Sequence, residues 1–146
     1  MSDLYFKFRG RVARFIGYLY QKVEVREDID HHQSTNKPWG KYIVLHRASN
    51  YKIKRLVIRP GQTISLQSHK LRSEHWIIVN GTATIQLGIF IEPVTEGESV
   101  FVKAGEKHRI TNSGEGQLVI IEVQLGAVDE GDIERFEDIY GRCTNV

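Results

Sequence analysis

Short runs of strand-forming residues, separated by pairs that favour tight turns, constrain the fold of this chain more than any other feature of its sequence. The runs are rich in valine, isoleucine, threonine and aromatic residues, and pairs such as Pro60-Gly61 and Asn80-Gly81 separate them. The pattern predicts eight strands: Tyr42–Arg47, Tyr51–Arg59, Thr63–His69, Glu74–Val79, Thr82–Ile91, Ser99–Val102, Lys107–Thr111 and Gln117–Leu125. Eight short strands with tight turns are typical of a jelly roll or a barrel, so we expect an all-β fold.

Size and composition narrow the class of protein. With 146 residues and ordinary apolar and charged fractions, the chain is long enough for one domain with a real core. Its net charge of +2 gives no global argument for binding nucleic acid. The single cysteine, Cys143, cannot form an intramolecular disulfide, and the sequence has no signal-peptide pattern and no long apolar run. We therefore expect a cytoplasmic protein that does not span a membrane.

The first 25 residues have a pattern of their own. Apolar residues recur there at helical spacing among basic side chains: Leu4, Phe8, Val12, Phe15, Leu19 and Val23. One interpretation is a basic amphipathic helix on a membrane surface. We favour the other, a helix or extended arm packed on the barrel or on a second subunit, because Gly10 and Gly17 interrupt the helical pattern. The chain then divides into an N-terminal arm, residues 1–35, and one domain, residues 36–146.

Two further segments are expected to lack strands. Residues 24–37 are polar and are expected to form a loop. Towards the other end of the chain, Asp129 can cap a helix that continues to Tyr140. Ile133, Phe136 and Ile139 or Tyr140 would form an apolar stripe on one face of that helix. The sequence therefore predicts a short C-terminal helix.

Four residues in two blocks of the chain form a candidate metal-binding set. Gln67 and His69 lie two apart in a predicted strand, so both side chains leave the same face. Glu74 follows five residues later, and His108 lies in a second block. The alternative is a set of buried polar residues satisfied by hydrogen bonds. An amide, two imidazoles and a carboxylate suit one divalent ion, with zinc, manganese, iron, cobalt and nickel all candidates.

The spacing of these residues resembles the two sequence motifs of the cupin family. The first motif corresponds to Gly61, Gln67, His69, Glu74 and Gly81, and the second to Gly97, Lys103, Gly105, His108 and Asn112. Gln67 stands where most cupins have a histidine, and Lys103 stands where they have a proline. The resemblance implies a cupin-type jelly-roll β-barrel in which Gln67, His69, Glu74 and His108 bind the metal.

A longer series of segments resembles the type II mannose-6-phosphate isomerase cupin, a domain that is usually fused to a mannose-1-phosphate guanylyltransferase. The resemblance runs from about Asn36 to Arg142 and includes the glutamine at position 67. Its segments are Lys37-Pro-Trp-Gly-Lys-Tyr42, Arg72-Ser-Glu-His-Trp76, Ile121-Glu-Val-Gln124 and Asp138-Ile-Tyr-Gly-Arg142. It implies a homodimeric enzyme of the GDP-mannose pathway that supplies polysaccharide biosynthesis. The expected reaction interconverts mannose 6-phosphate and fructose 6-phosphate through a cis-enediol.

Charged residues near the motifs are candidates for catalysis and for binding a sugar phosphate. The resemblance places the family's catalytic-site arginine at Arg72, which could otherwise be a solvated bend residue. Glu122 is the best candidate for the general base, although it could instead face outward from a half-exposed strand. Lys103 and Arg109 are further candidates for contacts with the substrate. By alternation His75 is expected to face away from Glu74, which makes it a poor candidate ligand.

Two other functions remain open at this point. The first is another metal-dependent cupin enzyme such as an oxygenase, although cupin oxygenases usually carry three histidines and a glutamate, which Gln67 does not match. The second is a non-catalytic module that binds a sugar or a metal. The sequence has no Gly-rich nucleotide loop, so we expect no guanylyltransferase domain, and this keeps the second alternative open.

Overall fold

A computed structural model of the chain describes residues 34–127 and 130–143. Within these ranges the chain is almost entirely β-structure, with one 3₁₀ turn at Glu130–Asp132. The strands are β1 (Ser34–Lys37), β2 (Gly40–Arg47), β3 (Tyr51–Ile58), β4 (Leu66–His69), β5 (Arg72–Asn80), β6 (Thr82–Leu87), β7 (Phe90–Thr95), β8 (Ser99–Val102), β9 (His108–Asn112), β10 (Leu118–Gly126) and β11 (Ile133–Glu137). None of the helices among the described residues is long and apolar enough to cross a membrane.

The strands form two antiparallel sheets. The first has six strands in the order β1-β2-β3-β10-β5-β8, and the second has five in the order β11-β4-β9-β6-β7. Neighbours in space are often distant in sequence, as β10 is from both β3 and β5. A buried apolar cluster that includes Trp76, Ile85, Ile110 and Ile120 draws residues from both sheets and packs them together. The all-β jelly-roll prediction is confirmed.

The inner face of the six-stranded sheet has two halves of different chemistry. Its central strands β3, β5 and β10 alternate buried and more exposed residues, so each directs one set of side chains inward. At one end of these strands the inward residues are apolar, and we call this set the apolar half: Leu56, Ile58, Ile78, Leu118 and Ile120. At the other end they are polar but equally buried, and we call this set the polar half: Lys52, Lys54, Arg72, Glu74, Glu122 and Gln124.

Seven of the eight predicted strands have counterparts close to their predicted bounds, and the predicted strand Thr82–Ile91 is wrong. That segment is a hairpin of β6 and β7, because Gly88 adopts a positive φ of 56° and turns the chain. The polar stretch predicted as a loop also contains a strand, since β1 at Ser34–Lys37 pairs with β2.

The predicted C-terminal helix is also wrong. Its central part is the edge strand β11, which pairs antiparallel with β4 and places Arg135 opposite Gln67. Of the expected apolar stripe, Phe136 and Ile139 are exposed, whereas Tyr140 packs against the core cluster. Backbone pairing with β4 therefore determines the conformation of this segment, although its apolar residues have a weak helical spacing. Asp129 and residues 1–33 of the N-terminal arm lie outside the described residues.

Candidate metal centre and its cavity

The two sheets bring His69, Glu74 and His108 together, and we call these three residues the metal cluster. His69 ends β4 and His108 begins β9 in the five-stranded sheet, whereas Glu74 comes from β5 in the other sheet. One potential ligand atom from each residue lies within 4.8 Å of the other two, and all three residues are buried. Non-local pairing therefore assembles a set of three side chains that sequence spacing alone only suggests.

Both histidine rings are oriented by backbone carbonyls. Nδ1 of His108 lies 2.8 Å from the carbonyl oxygen of Glu106, and Nδ1 of His69 lies 3.3 Å from that of Asp132. A carbonyl only accepts hydrogen bonds, so Nδ1 carries the proton and the Nε2 lone pair points to the cluster. Burial lowers the pKa of His69 to about 4, against the opposing charge of Glu74, and burial also lowers the pKa of His108. The rings are therefore neutral near pH 7, the form that binds metals.

Glu74 is held as a carboxylate by donors on three sides. Burial opposes ionisation, but His69, His108 and Arg72 outweigh it, and the pKa of Glu74 is lowered. Trp76 Nε1 donates to Oε2 at 3.1 Å, while Arg72 Nε and Gln124 Nε2 donate to Oε1 at 3.2 and 3.0 Å. Such partners fix the orientation of a ligating carboxylate.

Gln67 lies beside the two histidines. Its Nε2 is 3.4 Å from Nε2 of His69 and 3.5 Å from Nε2 of His108, and Ser65 Oγ donates to its Oε1 at 2.8 Å. The oxygen and nitrogen of an amide are assigned from their surroundings, and a hydroxyl can accept as well as donate. Turning the amide would thus present Oε1 to the cluster and keep the Ser65 contact. The four residues fit a borderline divalent metal ion with mixed nitrogen and oxygen ligands.

Arg72 connects the cluster to a cavity. The side chain is buried, and its Nη2 lies 3.2 Å from His69 Nε2. Since a guanidinium only donates, this contact uses the lone pair that a metal ion would take. Metal binding would therefore require Arg72 to release His69, while its Nε bond to Glu74 can remain.

The cavity, of about 80 Å³, lies between the polar half and strands β4 and β11. Glu122 and Gln124 lie in its wall, and Gln124 Nε2 donates to Glu122 Oε1 at 2.8 Å as well as to Glu74. Lys54 Nζ lies 3.9 Å from Glu122 Oε1. The alternative that Glu122 faces outward is therefore wrong. Lys54, Glu122 and Gln124 are thus linked by successive contacts to Glu74.

Some cavity residues were missed in the sequence or left unresolved there. Sequence alternation gives Lys52 and Lys54 the same face but does not say which face is inner. The structure buries both, and Lys54 lines the cavity. Four other lining residues gave no signal of their own as site residues: Lys37, Tyr42, Arg135 and Arg142. Arg135 reaches the cavity only because β11 pairs with β4, a contact that spacing cannot predict.

Two candidates for substrate contact are not brought to the cavity. Arg109 alternates away from His108, and its Nη2 pairs with Glu137 on the other side of the sheet. The side chain of Lys103 is exposed in the turn after β8, where its backbone N–H donates to Glu106. As predicted, His75 faces outward, and its ring contacts Phe101 with centroids 4.5 Å apart. We do not include these residues in the proposed site.

Comparisons with known proteins show to which family the sequence is similar. The family model described as "Mannose-6-phosphate isomerase C-terminal" matches residues 24–138. A mannose-1-phosphate guanylyltransferase from Salmonella montevideo is 44% identical over 122 residues, which cover 83% of this chain and 26% of that protein. The xanthan biosynthesis protein XanB from Xanthomonas campestris pv. campestris is 42% identical over 118 residues, 80% of this chain and 25% of that protein. The chain thus spans about a quarter of the length of these relatives.

A solved structure from Klebsiella pneumoniae has a similar fold. This uncharacterized conserved protein with a double-stranded β-helix domain superposes with a TM-score of 0.64. The match covers 75% of this chain and 95% of that one at 18% sequence identity. At this level of identity the likeness shows the fold alone, and that fold is the cupin-type double-stranded β-helix predicted from the sequence.

Proposed function

The chain belongs to the family described as mannose-6-phosphate isomerase C-terminal, and on that premise we propose that it is a metal-dependent isomerase of mannose 6-phosphate and fructose 6-phosphate. The observation that carries the proposal is the convergence of His69, Glu74 and His108 beside a cavity. Glu74 lines that cavity together with Glu122. Relatives named for mannose-1-phosphate guanylyltransferase and xanthan biosynthesis support a substrate from carbohydrate metabolism.

Gln67, His69, Glu74 and His108 would hold one divalent ion, for which zinc, manganese, cobalt, nickel and iron are candidates. When bound, such an ion supplies a Lewis acid for the oxygens of the sugar. The protein's own part is to keep both histidines neutral and Glu74 ionised, and to close the cluster from bulk water. Burial and the donors around Glu74 support each of these roles.

Glu122 is the proposed general base. An aldose–ketose isomerisation needs one group that takes the proton from the carbon next to the carbonyl and returns it to the neighbouring carbon through a cis-enediol. Glu122 accepts a hydrogen bond from Gln124 and lies near Lys54 in the cavity wall, where it would take this proton. Arg72 would bind substrate oxygen through Nη2 and stabilise the negative charge that develops on the enediolate.

Two further parts of the proposal concern the state of the protein in the cell. We propose that the enzyme is cytoplasmic and homodimeric, in line with the resemblance in its sequence. Light scattering of the full chain would measure its mass, and a monomeric mass at working concentration would contradict the dimer without bearing on the chemistry.

The decisive experiment measures fructose 6-phosphate formation from mannose 6-phosphate in a coupled assay. The full chain is treated with a chelator, and each candidate metal is then added back. We expect at least one metal to restore turnover, because the cluster offers a complete ligand set. His69→Ala should restore neither turnover nor metal binding.

His75→Ala is the matched control, since this histidine lies one residue from Glu74 but faces outward. It should keep both metal binding and turnover. A wild-type protein that binds metal tightly but turns over with no metal would refute the isomerase and favour a binding module. Iron-dependent oxygen uptake would instead identify an oxygenase.

A further inference from the structure

Three cationic side chains stand in the outer part of the cavity. Lys37 ends β1, Arg135 lies in the middle of β11, and Arg142 follows the last strand, and all three line the cavity wall. Each is partly exposed, whereas Glu74 and Gln124 in the same wall are only 1% exposed. The cavity thus has a deep end at Glu74 and Gln124 and a mouth with positive charge.

Arg142 is held in place by a buried carboxylate. Its Nε and Nη2 donate to the two oxygens of Asp138 at 2.8 and 2.6 Å, and the side chain of Asp138 is completely buried. The Asp138 carboxylate also accepts the backbone N–H of Arg142 at 2.7 Å. A bidentate pair of this kind fixes the guanidinium plane and uses two of its five N–H groups. The others remain for a ligand in the cavity.

Arg135 shows an unsatisfied donor. Its Nε is buried and has no hydrogen-bond partner among the described residues. Buried donors are normally satisfied, so an unpaired guanidinium N–H in a cavity wall indicates an acceptor from outside the chain. Arg109 Nε is also unpaired, but that guanidinium already pairs with Glu137 and lies away from this cavity. Of these two arginines, Arg135 is the one that lines the cavity, where a ligand can contact its side chain.

The charge of the cavity favours an anion at the mouth. Its wall contains two carboxylates, Glu74 and Glu122, and more than twice as many cations: Lys37, Lys54, Arg72, Arg135 and Arg142. Both carboxylates already accept hydrogen bonds from Gln124 at the deep end. Arginine forks match the paired oxygens of a phosphate group, and concentrated positive charge attracts a dianion into a cleft.

We propose that Lys37, Arg135 and Arg142 form a subsite for a phosphate monoester at the cavity mouth. It would hold the phosphate end of the substrate while the other end of the sugar points to the metal cluster. The inference rests on the proposed function for the identity of the sugar, but the anion subsite itself can be tested without turnover.

The test is calorimetric titration of the full, metal-loaded chain with inorganic phosphate, repeated after chelation so that binding to the metal is separated. The test variants are Arg135→Gln and Arg142→Gln. We expect each to weaken phosphate binding by roughly 10- to 100-fold, the usual range for losing a hydrogen bond to a charged group. Arg55→Gln is the matched control, because Arg55 alternates with Lys54 on β3 and faces the opposite side of the sheet. It should bind phosphate as the wild type does.

Arg142→Gln leaves Asp138 buried without its partner and could unfold the chain. Arg142→Lys therefore provides a second variant, which keeps a cation for Asp138 but loses the planar fork. It should remain folded by circular dichroism and still bind phosphate more weakly than the wild type. Unchanged phosphate affinity in both Arg135→Gln and Arg142→Lys would overturn the subsite.

Turnover separates this inference from the proposed function. If the isomerase is correct, the arginine variants should raise KM for mannose 6-phosphate and change kcat much less, since the phosphate lies away from the reacting carbons. Phosphate binding that depends on these arginines in a protein without turnover would support the subsite and refute the isomerase. Turnover with a wild-type KM in both variants would support the isomerase and refute the subsite.

Discussion

The apolar half and the polar half of the inner sheet face differ in chemistry but hardly in burial. Ile120 is 0% exposed and Gln124, two inward positions along the same strand β10, is 1% exposed. Burying apolar side chains stabilises a fold, whereas burying polar groups stabilises it little or not at all unless they are fully paired. The apolar half of these three strands therefore stabilises the fold, whereas the polar half contains buried polar groups that lower its stability unless they are paired.

The pairing within the polar half shows how this cost is limited. The amide of Gln124 donates to both Glu74 and Glu122, and Lys54 lies near Glu122. The Oε1 atom of Gln124, however, is buried without a hydrogen-bond partner among the described residues, so the network is incomplete. An incomplete polar network in a protein interior is expected where a ligand completes it. The buried, charged residues of the polar half thus mark the site independently of the sequence motifs.

Glu122→Gln changes the polar half and should have the largest effect on turnover. A glutamine can still accept the hydrogen bond from Gln124, but it cannot take a proton, so kcat should fall by about 100- to 10,000-fold. Metal affinity should change little, whereas the free energy of unfolding should fall, because the buried Lys54 loses the charge of its partner. Steady-state kinetics and a metal titration on the same preparation measure kcat and metal affinity. A fall in metal affinity that accounts for the lost turnover would contradict the role as base.

Ile120→Ala tests the apolar half. Ile120 is fully buried in the core cluster, and removing its methyl groups should lower the free energy of unfolding by about 2–5 kcal/mol. Urea denaturation measures this change. The folded variant should bind metal with wild-type affinity, since Ile120 belongs to the apolar half. A loss of metal affinity in fully folded protein would show that the two halves are not separable.

Acid should destabilise the metal-free protein through the metal cluster. His69 has its pKa lowered by burial from 6.5 to about 4, so between these values the unfolded chain binds a proton that the folded chain does not. Stability therefore falls as the pH falls from 6.5 towards 4, by about 3 kcal/mol for this residue. The lowered pKa values of His108 and Glu74 act in the same direction.

Urea denaturation of chelated protein at about pH 7.5 and about pH 4.5 measures this dependence. His69→Gln should weaken it, whereas His75→Gln, which changes an exposed histidine, should leave it as in the wild type. Equal pH dependence in all three proteins would assign the effect to groups outside the cluster.

The sequence predicted what depends on local pattern. Alternation along β5 assigned Glu74 and His75 to opposite faces, and the structure confirms this. The period of a strand is fixed by backbone geometry, so the relative facing of its residues needs no knowledge of neighbours. The same reasoning gave the all-β class and the common face of Gln67 and His69.

What depends on long-range pairing could not be predicted. The C-terminal segment has apolar residues at helical spacing, yet it forms β11 because the edge of β4 offers backbone partners. Arg135 and Arg142 enter the cavity as a result, whereas Arg109, next to a proposed ligand in sequence, faces away. Lys54 could be assigned to the inner face only once the register of β3 against β10 was known. Sequence neighbours of a motif are thus poor guides to the rest of its site.

Trp76 lies at the boundary between the halves and offers the finest test of the comparison. Its ring belongs to the core cluster, while its Nε1 donates to Glu74 and its ring centroid lies 5.3 Å from that of His108. Trp76→Phe removes the donor and keeps an aromatic ring, so metal affinity should fall by about tenfold, as for other groups that orient a metal ligand.

The same substitution should lower the free energy of unfolding by about 1–3 kcal/mol, because a smaller ring leaves space in the core. Competition with a chromogenic chelator and urea denaturation measure the two effects separately. If stability falls but metal affinity does not, Trp76 belongs only to the apolar half and Glu74 is oriented by Arg72 and Gln124. If metal affinity falls as expected, one side chain joins the core that stabilises the barrel to the carboxylate that would bind its metal.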